Sequence, residues 1–327
     1  MARVFSGIQP TGDDPHLGNY LGAFARWAAE QEREHVFCIV DLHAMTLPYE
    51  PRALTQRTLD MASWLFAAGL DPDVATVFVQ SHVREHSECA WVLNCVATTG
   101  ELGRMVQFKE KSKGRESVSV GLFDYPVLQA ADILLYQAEE VPVGDDQRQH
   151  VELTRDLAQR FNNRFGKTFT VPRATLPGVG ARVMDLQLPD RKMSKSSESP
   201  AGTIVLAETE EETRKKIMRA VTDSASEIRA APEKPGVTNL LELFAAVTGG
   251  TIEELEQRYA GKGYGDLKRD LAEAVNGALR PVRQRQAELR TDPGELAAIL
   301  RKGAERARGM ATETMATVRE RVGLLSS

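Results

Sequence analysis

The chain has 327 residues, of which 42% are hydrophobic and 27% are charged, and its formal net charge is −5. These values are ordinary for a folded globular protein and argue against wholesale disorder. No run approaches the roughly 18 apolar residues that a membrane span needs, and the N-terminal segment lacks the features of a secretory signal. The 3 cysteines lack metal-ligand spacing, so disulfides and a metal site are both disfavoured. We expect a cytoplasmic protein that does not enter a membrane.

Short apolar runs alternate with helical periods through the first half of the chain. Residues 36–40 form a continuous apolar run, which is typical of a strand buried on both faces. Residues 76–79 and 141–143 repeat this pattern, and Val4 and Phe5 open the chain as a further strand. A helix is expected between successive strands, one of them at 88–98. This alternation predicts an α/β fold with a Rossmann-like, doubly wound parallel sheet.

The pattern changes to helices alone in the second half. A last helix, at 295–324, places Leu300, Met315 and other apolar residues on one stripe at steps of three and four. We therefore expect a Rossmann-like domain and a smaller α-helical domain, with the C-terminal helix packed back on the first. The corresponding ranges are 1–187, 188–289 and about 290–327.

A glycine- and proline-containing turn, PTGDDPHLGN, follows the first strand at residues 10–19. In an open α/β sheet, the carboxyl end of a strand is the place where ligands bind. Gly12 and Gly18 permit a close approach of the backbone, and the start of the next helix offers unpaired N–H groups to a phosphate. Alone, the turn fits a nucleotide site and an ordinary helix start about equally well.

A second segment, KMSKS, occupies residues 192–196 near the end of the predicted first domain. Lys192 and Lys195 lie three residues apart beside small hydroxylated residues, a pattern that suits a polyphosphate because lysine acts there as a point charge. A solvated basic linker is the alternative. Taken alone, the segment favours the linker.

Together, the two segments resemble the paired signatures of class I aminoacyl-tRNA synthetases. Further stretches resemble the bacterial tryptophanyl-tRNA synthetases of that class, namely SGIQPTG, NYLGA, FCIVDLHA, GELGRMVQFKEKS, YPVLQAADILLY, VPVGDDQRQHVELTRDLAQRFN, AVTDS and GKGYG. The resemblance covers nearly the whole chain. It implies activation of L-tryptophan by ATP, with Mg²⁺ bound to the ATP, and transfer of tryptophan to the 3′-terminal ribose of tRNA(Trp) by a homodimer.

The implied chemistry joins a carboxylate to the α-phosphate of ATP. The carboxylate is already ionised at neutral pH, so positioning and positive charge on the phosphates matter more than a general base. The resemblance assigns the catalytic charges to Lys111, Lys192 and Lys195. It assigns ATP binding to Gln9, Pro10, Thr11, Gly18, Asn19, Gly144, Asp145, Asp146, Val183, Lys192, Met193, Ser194, Lys195 and Ser196, and no residue to a resident metal.

Asp132 is the central residue of the implied amino-acid pocket. It lies in an otherwise apolar helical run, where a buried carboxylate is costly without a partner. The indole N–H could be that partner, and analogues without the donor would then be rejected; a salt-bridged or surface aspartate is the alternative. The resemblance adds Phe5, Val40, His43, Tyr125, Gln129, Val141, Val143 and Gln147 to this pocket.

The helical region from about 187 to 285 is implied to recognise the tRNA anticodon. Phosphate contacts would position the tRNA there, and splayed bases would be read by their edges and by stacking. Taken alone, each basic side chain fits a solvated helix face better than a phosphate contact. The candidate phosphate contacts are Lys215, Lys216, Arg219, Lys268, Arg269, Arg280, Arg283 and Arg285.

Three other functions fit parts of the sequence. A tyrosyl-tRNA synthetase is mildly favoured by Gln129, because many tryptophanyl relatives carry Met there and tyrosyl enzymes often carry Gln near an equivalent place. A small-molecule adenylate-forming ligase is disfavoured by the helical C-terminal region. A regulatory paralogue is disfavoured by the intact site residues, although an auxiliary duplicate would look the same.

Overall fold

The computed structural model describes residues 2–12, 14–114, 117–175, 183–194 and 200–325, with Asp145 described by its backbone alone. Its sheet contains β1 (Val4–Ile8), β2 (His35–Ile39), β3 (Thr76–Val79), β4 (Glu140–Pro142) and β5 (Arg173–Thr175). The strands are parallel and lie in the order β3-β2-β1-β4-β5. The predicted doubly wound sheet is confirmed. The three residues of β5 are too few for a sequence pattern, and we had not predicted this strand.

Helices flank the sheet and then continue alone toward the C-terminus. Those of the first half are α1 (Leu17–Asn19), α2 (Ala25–Glu30), α3 (Asp41–Ala44), α4 (Pro51–Ala67), α5 (Glu85–Asn94), α6 (Thr99–Gly103), α7 (Val106–Ser112), α8 (Val120–Leu134) and α9 (Arg148–Phe165). Those of the second half are α10 (Glu210–Met218), α11 (Pro235–Thr248), α12 (Ile252–Arg258), α13 (Tyr264–Arg290) and α14 (Pro293–Val322). A π-helical stretch, Tyr20–Phe24, joins α1 to α2, and short 3-10 turns occupy Gln80–His82, Asp145–Gln147 and Pro200–Gly202.

The two faces of the sheet belong to separate cores, which explains the continuous apolar run of β2. Phe37 and Ile39 point to a core that includes α2, α4 and the helices of the second half. Val36 and Cys38 point to the other core, which includes α5, α8, α9 and most of α14. Because successive side chains of a strand alternate between faces, a strand covered on both sides must be apolar throughout.

The C-terminal helix α14 returns to the sheet and packs on β3. A Cβ atom added at Gly303 would lie 1.8 Å from the carbonyl oxygen of Val77, so the helix and strand backbones approach as closely as glycine allows. Thr314 Oγ1 donates to the Leu135 carbonyl at 2.7 Å, and Arg319 Nε donates to Glu88 at 2.7 Å. The predicted apolar stripe is buried here, with Leu300 and Met315 at most 1% exposed.

The helix expected at 88–98 begins and ends earlier than predicted, since α5 spans Glu85–Asn94. Both Glu85 and Glu88 lie in its first turn, where acidic side chains favour a helix start. Across the described ranges, none of the helices combines the length and the apolar character needed to cross a membrane.

Candidate functional site

The carboxyl edge of the sheet gathers the residues predicted to bind ligand. β1 lies at the centre, with β2 on one side and β4 on the other, so the chain leaves β1 at a topological switch point. Gln9 and Pro10 follow β1, and His43 lies in the short helix that follows β2. Val143 and Gly144 follow β4. Segments far apart in the sequence therefore meet at the edge where an open α/β sheet binds its ligands.

The turn after β1 ends in a capped helix start. His16 Nδ1 accepts a hydrogen bond from the Asn19 N–H at 3.3 Å, and Asn19 Oδ1 accepts one from the His16 N–H at 3.1 Å. A Cβ atom at Gly18 would lie 3.0 Å from the His16 ring and 3.7 Å from Val183. Gly18 therefore leaves room for two close neighbours, and one of them, Val183, is itself a predicted nucleotide-binding residue.

The turn after β1 and the region of KMSKS form one connected unit. The Leu17 N–H donates to the Ile204 carbonyl, and the Leu206 N–H donates to the Pro15 carbonyl, both at 2.8 Å. Thr203 Oγ1 donates to the Ser194 carbonyl at 3.0 Å. These contacts place the two predicted phosphate-binding segments side by side, although about 175 residues of chain separate them.

Within KMSKS, the structure describes residues 192–194, and Lys195 and Ser196 lie outside the described residues. Lys192 is exposed and Met193 is buried. The Met193 N–H donates to the Val183 carbonyl at 3.0 Å, and Asn239 bonds both backbone groups of Met184. The backbone next to Lys192 is thus held by hydrogen bonds to residues 183 and 184, while the Lys192 side chain is exposed to solvent.

A second cluster surrounds Tyr125 on α8. The Lys111 ammonium lies 5.0 Å from the centre of the Tyr125 ring, and the Tyr125 hydroxyl lies 2.9 Å from His150 Nε2. Burial raises the pKa of Tyr125 to about 12. Burial and the nearby Lys111 charge lower the pKa of His150 to about 4. At neutral pH this cluster therefore holds a phenol, a neutral imidazole and an ammonium group.

The turn after β4 lies beside this cluster. Gln147 Nε2 donates to Asp146 Oδ2 at 2.8 Å, and a Cβ atom at Gly144 would lie 2.9 Å from Asp146 Oδ1. Burial lowers the pKa of Lys111, and the Asp146 carboxylate partly opposes that shift. Asp145 belongs to the same turn, but its side chain lies outside what the structure describes.

Asp132 is 1% exposed, and three side chains donate to its carboxylate. Gln80 Nε2 and His86 Nδ1 donate to Oδ1, each at 2.6 Å, and His43 Nε2 donates to Oδ2 at 2.8 Å. Burial alone would raise the pKa of Asp132, but the hydrogen bonds from both histidines hold it below its usual range. The carboxylate is therefore ionised in the protein interior, and protein donors already compensate for its burial.

Gln80 and His86 are site residues that the sequence analysis missed. Gln80 directly follows β3, so its position at the carboxyl edge was a usable signal. His86 lies on α5, and nothing in its sequence neighbourhood distinguishes it from an ordinary helical histidine. Its contact with Asp132 spans 46 residues of chain and exists only in the folded protein.

The predicted apolar pocket residues divide into two groups. Phe5, Val40 and Val141 are buried in the core, and the Phe5 ring stacks on Tyr136 at 5.7 Å. Gln129 and Val143 are half-buried. The first group therefore belongs to the core, and the second is partly exposed.

Three of the predicted phosphate-binding cations of the helical region are engaged internally. Lys268 is buried and donates to the Ala220 carbonyl at 2.7 Å. Arg283 donates to the Leu206 carbonyl at 2.8 Å, and Lys216 donates to the Thr203 carbonyl at 2.8 Å. These side chains satisfy backbone carbonyls of the fold, whereas Lys215 and Arg219 are exposed.

The comparisons with known proteins assign the chain to a family. Residues 1–280 match the family described as tRNA synthetases class I (W and Y). The chain is 54% identical over 327 residues to tryptophan–tRNA ligase 2 of Streptomyces avermitilis, covering 99% of this chain and 97% of that protein.

Solved structures of tryptophanyl-tRNA synthetases are also similar to this chain. Tryptophanyl-tRNA synthetase from Mycoplasma pneumoniae superposes with a TM-score of 0.90 at 37% identity, covering 100% of this chain and 99% of that one. The Campylobacter jejuni enzyme complexed with ADP and tryptophan gives a TM-score of 0.84 at 36% identity, covering 98% and 100%. The chain therefore belongs to the bacterial tryptophanyl-tRNA synthetases, a family of class I aminoacyl-tRNA ligases.

Proposed function

We propose that this site activates L-tryptophan with ATP to form tryptophanyl-adenylate and pyrophosphate, and then transfers tryptophan to the 3′-terminal ribose of tRNA(Trp). The supporting observation is that the turn after β1, residues 183–194 and the buried Asp132 converge on one edge of the sheet. The carboxyl edge at a topological switch point is where open α/β sheets bind their ligands. The C. jejuni relative was crystallised with ADP and tryptophan, which supports the same pairing of ligands.

In this proposal, ATP lies between the turn after β1, the turn after β4 and KMSKS. Gln9, Pro10, Thr11, Gly18 and Asn19 form one wall, and Gly144, Asp145, Asp146 and Val183 form the other. Lys111, Lys192 and Lys195 stabilise the charge that builds on the departing pyrophosphate. Mg²⁺ enters on the ATP, because three lysines cannot fully organise a triphosphate.

Tryptophan occupies the space in front of Asp132. The carboxylate accepts the indole N–H, while Tyr125 and Gln147 lie near the ammonium group and His43, Gln129 and Val143 border the ring. No editing domain is required, since tryptophan is the largest proteinogenic side chain and smaller competitors lose burial. The acyl oxygen that attacks the α-phosphate is already ionised, so positioning accounts for most of the rate.

Amino-acid-dependent ATP–pyrophosphate exchange, measured with each of the twenty amino acids, tests this proposal. We expect tryptophan to drive exchange at least about 10³-fold more efficiently than any other amino acid, as expected of a site that bonds a substrate N–H. Exchange driven by tyrosine would instead identify a tyrosyl-tRNA synthetase. Exchange with none of the twenty would identify a non-catalytic paralogue.

The assignment of domains belongs to the same proposal. Residues 1–187 carry the catalytic site, and residues 188–289 bind the anticodon of the tRNA. Five of the candidate phosphate contacts there are exposed, namely Lys215, Arg219, Arg269, Arg280 and Arg285. A cytoplasmic location follows from the proposed use of ATP and tRNA.

The proposed homodimer is supported by exposed apolar side chains on three neighbouring helices. Trp91 on α5 is 71% exposed, Val106 at the start of α7 is 53% exposed and Val120 at the start of α8 is 79% exposed. α5 contacts α8 through Asn94 and Asp124, and α7 contacts α8 through Phe108 and Phe123. A second copy of this chain would bury this surface, since an aromatic anchor among apolar side chains is typical of an interface.

Replacement of Trp91 by glutamate is expected to weaken dimerisation by about 30-fold or more, because a central tryptophan often contributes over 2 kcal/mol to an interface. Sedimentation velocity across a concentration series would measure the change. Met218, an exposed apolar residue on α10, provides the control, and Met218→Glu should leave the dimer intact. A monomeric wild-type protein at micromolar concentration would contradict the dimer proposal.

A further inference from the structure

The Asp132 carboxylate has an unequal set of partners on its two oxygens. Oδ1 accepts from both Gln80 and His86, which fills its two lone-pair positions. In the described part of the chain, Oδ2 accepts a single side-chain hydrogen bond, from His43. One lone-pair position therefore remains on Oδ2, and a ligand N–H can be accepted there without displacing a protein donor.

The two donors to Oδ1 are themselves fixed by further contacts. Gln80 is 0% exposed, and its Oε1 accepts the Leu42 N–H at 3.1 Å. This contact fixes the orientation of the amide group, so that Nε2 faces Asp132. His86 is also 0% exposed, and its Nε2 lies 2.7 Å from the Tyr136 hydroxyl. His86 Nδ1 is engaged by the Asp132 carboxylate, so Nε2 is the ring nitrogen that bonds the Tyr136 hydroxyl.

Buried aromatic rings pack around the hydrogen bonds that join Asp132, His86 and Tyr136. The Phe78 ring lies 5.8 Å from the His86 ring and 5.6 Å from the Tyr136 ring, and the Phe5 ring stacks on Tyr136 at 5.7 Å. His86, Phe78 and Tyr136 are each 0% exposed, so a lost donor at this place is poorly replaced by solvent. The two donors that hold Asp132 Oδ1 therefore lie in the protein interior.

We propose that His86 and Gln80 are positioning residues for amino-acid specificity, which hold Asp132 Oδ1 so that the open position of Oδ2 accepts the indole N–H. This inference rests on the proposed function. Without the donors to Oδ1, the carboxylate could rotate about its Cβ–Cγ bond. Oδ2 would then no longer face the indole N–H in a fixed orientation. The enzyme would then distinguish poorly between tryptophan and an isosteric amino acid without that N–H.

The experiment compares L-tryptophan with its analogue β-(benzothiophen-3-yl)-L-alanine, in which sulfur replaces the N–H. The measured quantity is the ratio of kcat/KM for the two amino acids in pyrophosphate exchange. His86→Phe removes the donor to Oδ1 and keeps a ring of similar size. We expect it to reduce this ratio by about tenfold or more, with the KM for ATP changed by less than about twofold.

Two variants separate positioning from packing. Tyr136→Phe breaks the other hydrogen bond of His86 in the same buried place but leaves the donor to Asp132, so the ratio should stay within about threefold of wild type. His86→Asn puts an amide N–H at the position of Nδ1 and should restore most of the ratio. Gln80→Met removes the second donor and gives an independent measurement if His86→Phe does not fold.

The outcomes are distinguishable. A folded His86→Phe variant, or Gln80→Met in its place, that keeps the wild-type ratio would overturn the inference. Equal losses in Tyr136→Phe and His86→Phe would also overturn it, because packing would then explain both. A wild-type protein that activates tryptophan without preferring it to the analogue would overturn the inference alone, whereas one that activates neither would overturn the proposed function.

Discussion

Replacement of Asp132 by alanine is expected to lower kcat/KM for tryptophan by about 100-fold, because a buried N–H without an acceptor costs about 1–3 kcal/mol. The KM for ATP should change by less than about threefold, since the proposed nucleotide site lies at other turns of the same sheet edge. Pyrophosphate exchange with each substrate varied in turn would give both constants. The substitution also leaves Gln80, His86 and His43 without their common acceptor, so some loss of stability should accompany it.

Asp132→Asn is the matched control for that loss of stability. It preserves the shape of the side chain and one acceptor oxygen, but its amide N–H groups oppose the donors that face it. A thermal melt of each variant shows whether the protein remains folded at the assay temperature. Equal losses for tryptophan and ATP in a folded Asp132→Ala variant would contradict the role of Asp132 in binding the indole.

Gly303→Ala is expected to destabilise the protein by about 1–3 kcal/mol or more, because overpacking a close contact forces the backbone to move. The added Cβ would lie 1.8 Å from the Val77 carbonyl oxygen, which belongs to β3 and cannot give way as a side chain would. The melting temperature should fall by several degrees, since about 1 kcal/mol corresponds to roughly 2–4 °C in a chain of this size class.

Gly309→Ala in the same helix provides the control. Gly309 is exposed, and an added Cβ would meet nothing within 4 Å. Alanine should stabilise the helix there by about 0.5–1 kcal/mol, because glycine loses more backbone entropy. Opposite changes in melting temperature are therefore expected from two identical substitutions six residues apart in sequence. A Gly303→Ala variant that melts like wild type would show that α14 does not pack on β3 as closely as described.

Local sequence patterns predicted the fold class, which the structure confirms, and a position for the site. The apolar runs at 36–40 and 76–79 predicted strands because a strand covered on both faces has no polar side, and both strands are present. The turn after β1 could be assigned to a ligand edge because parallel strands all end at the same edge. Asp132 stood out because a carboxylate in an apolar run must be compensated in the fold, and the structure places it in the interior.

Tertiary structure alone decided which partners those residues have. His86 donates to Asp132 across 46 residues, and Gln80 does so across 52, so neither contact leaves a local trace in the sequence. The sequence predicts Lys268 and Arg283 to be surface cations, but each donates to a backbone carbonyl of a distant segment. Periodicity and strand ends are properties of neighbouring residues and are visible in the sequence, whereas hydrogen-bond partners depend on distances that exist only after the chain has folded.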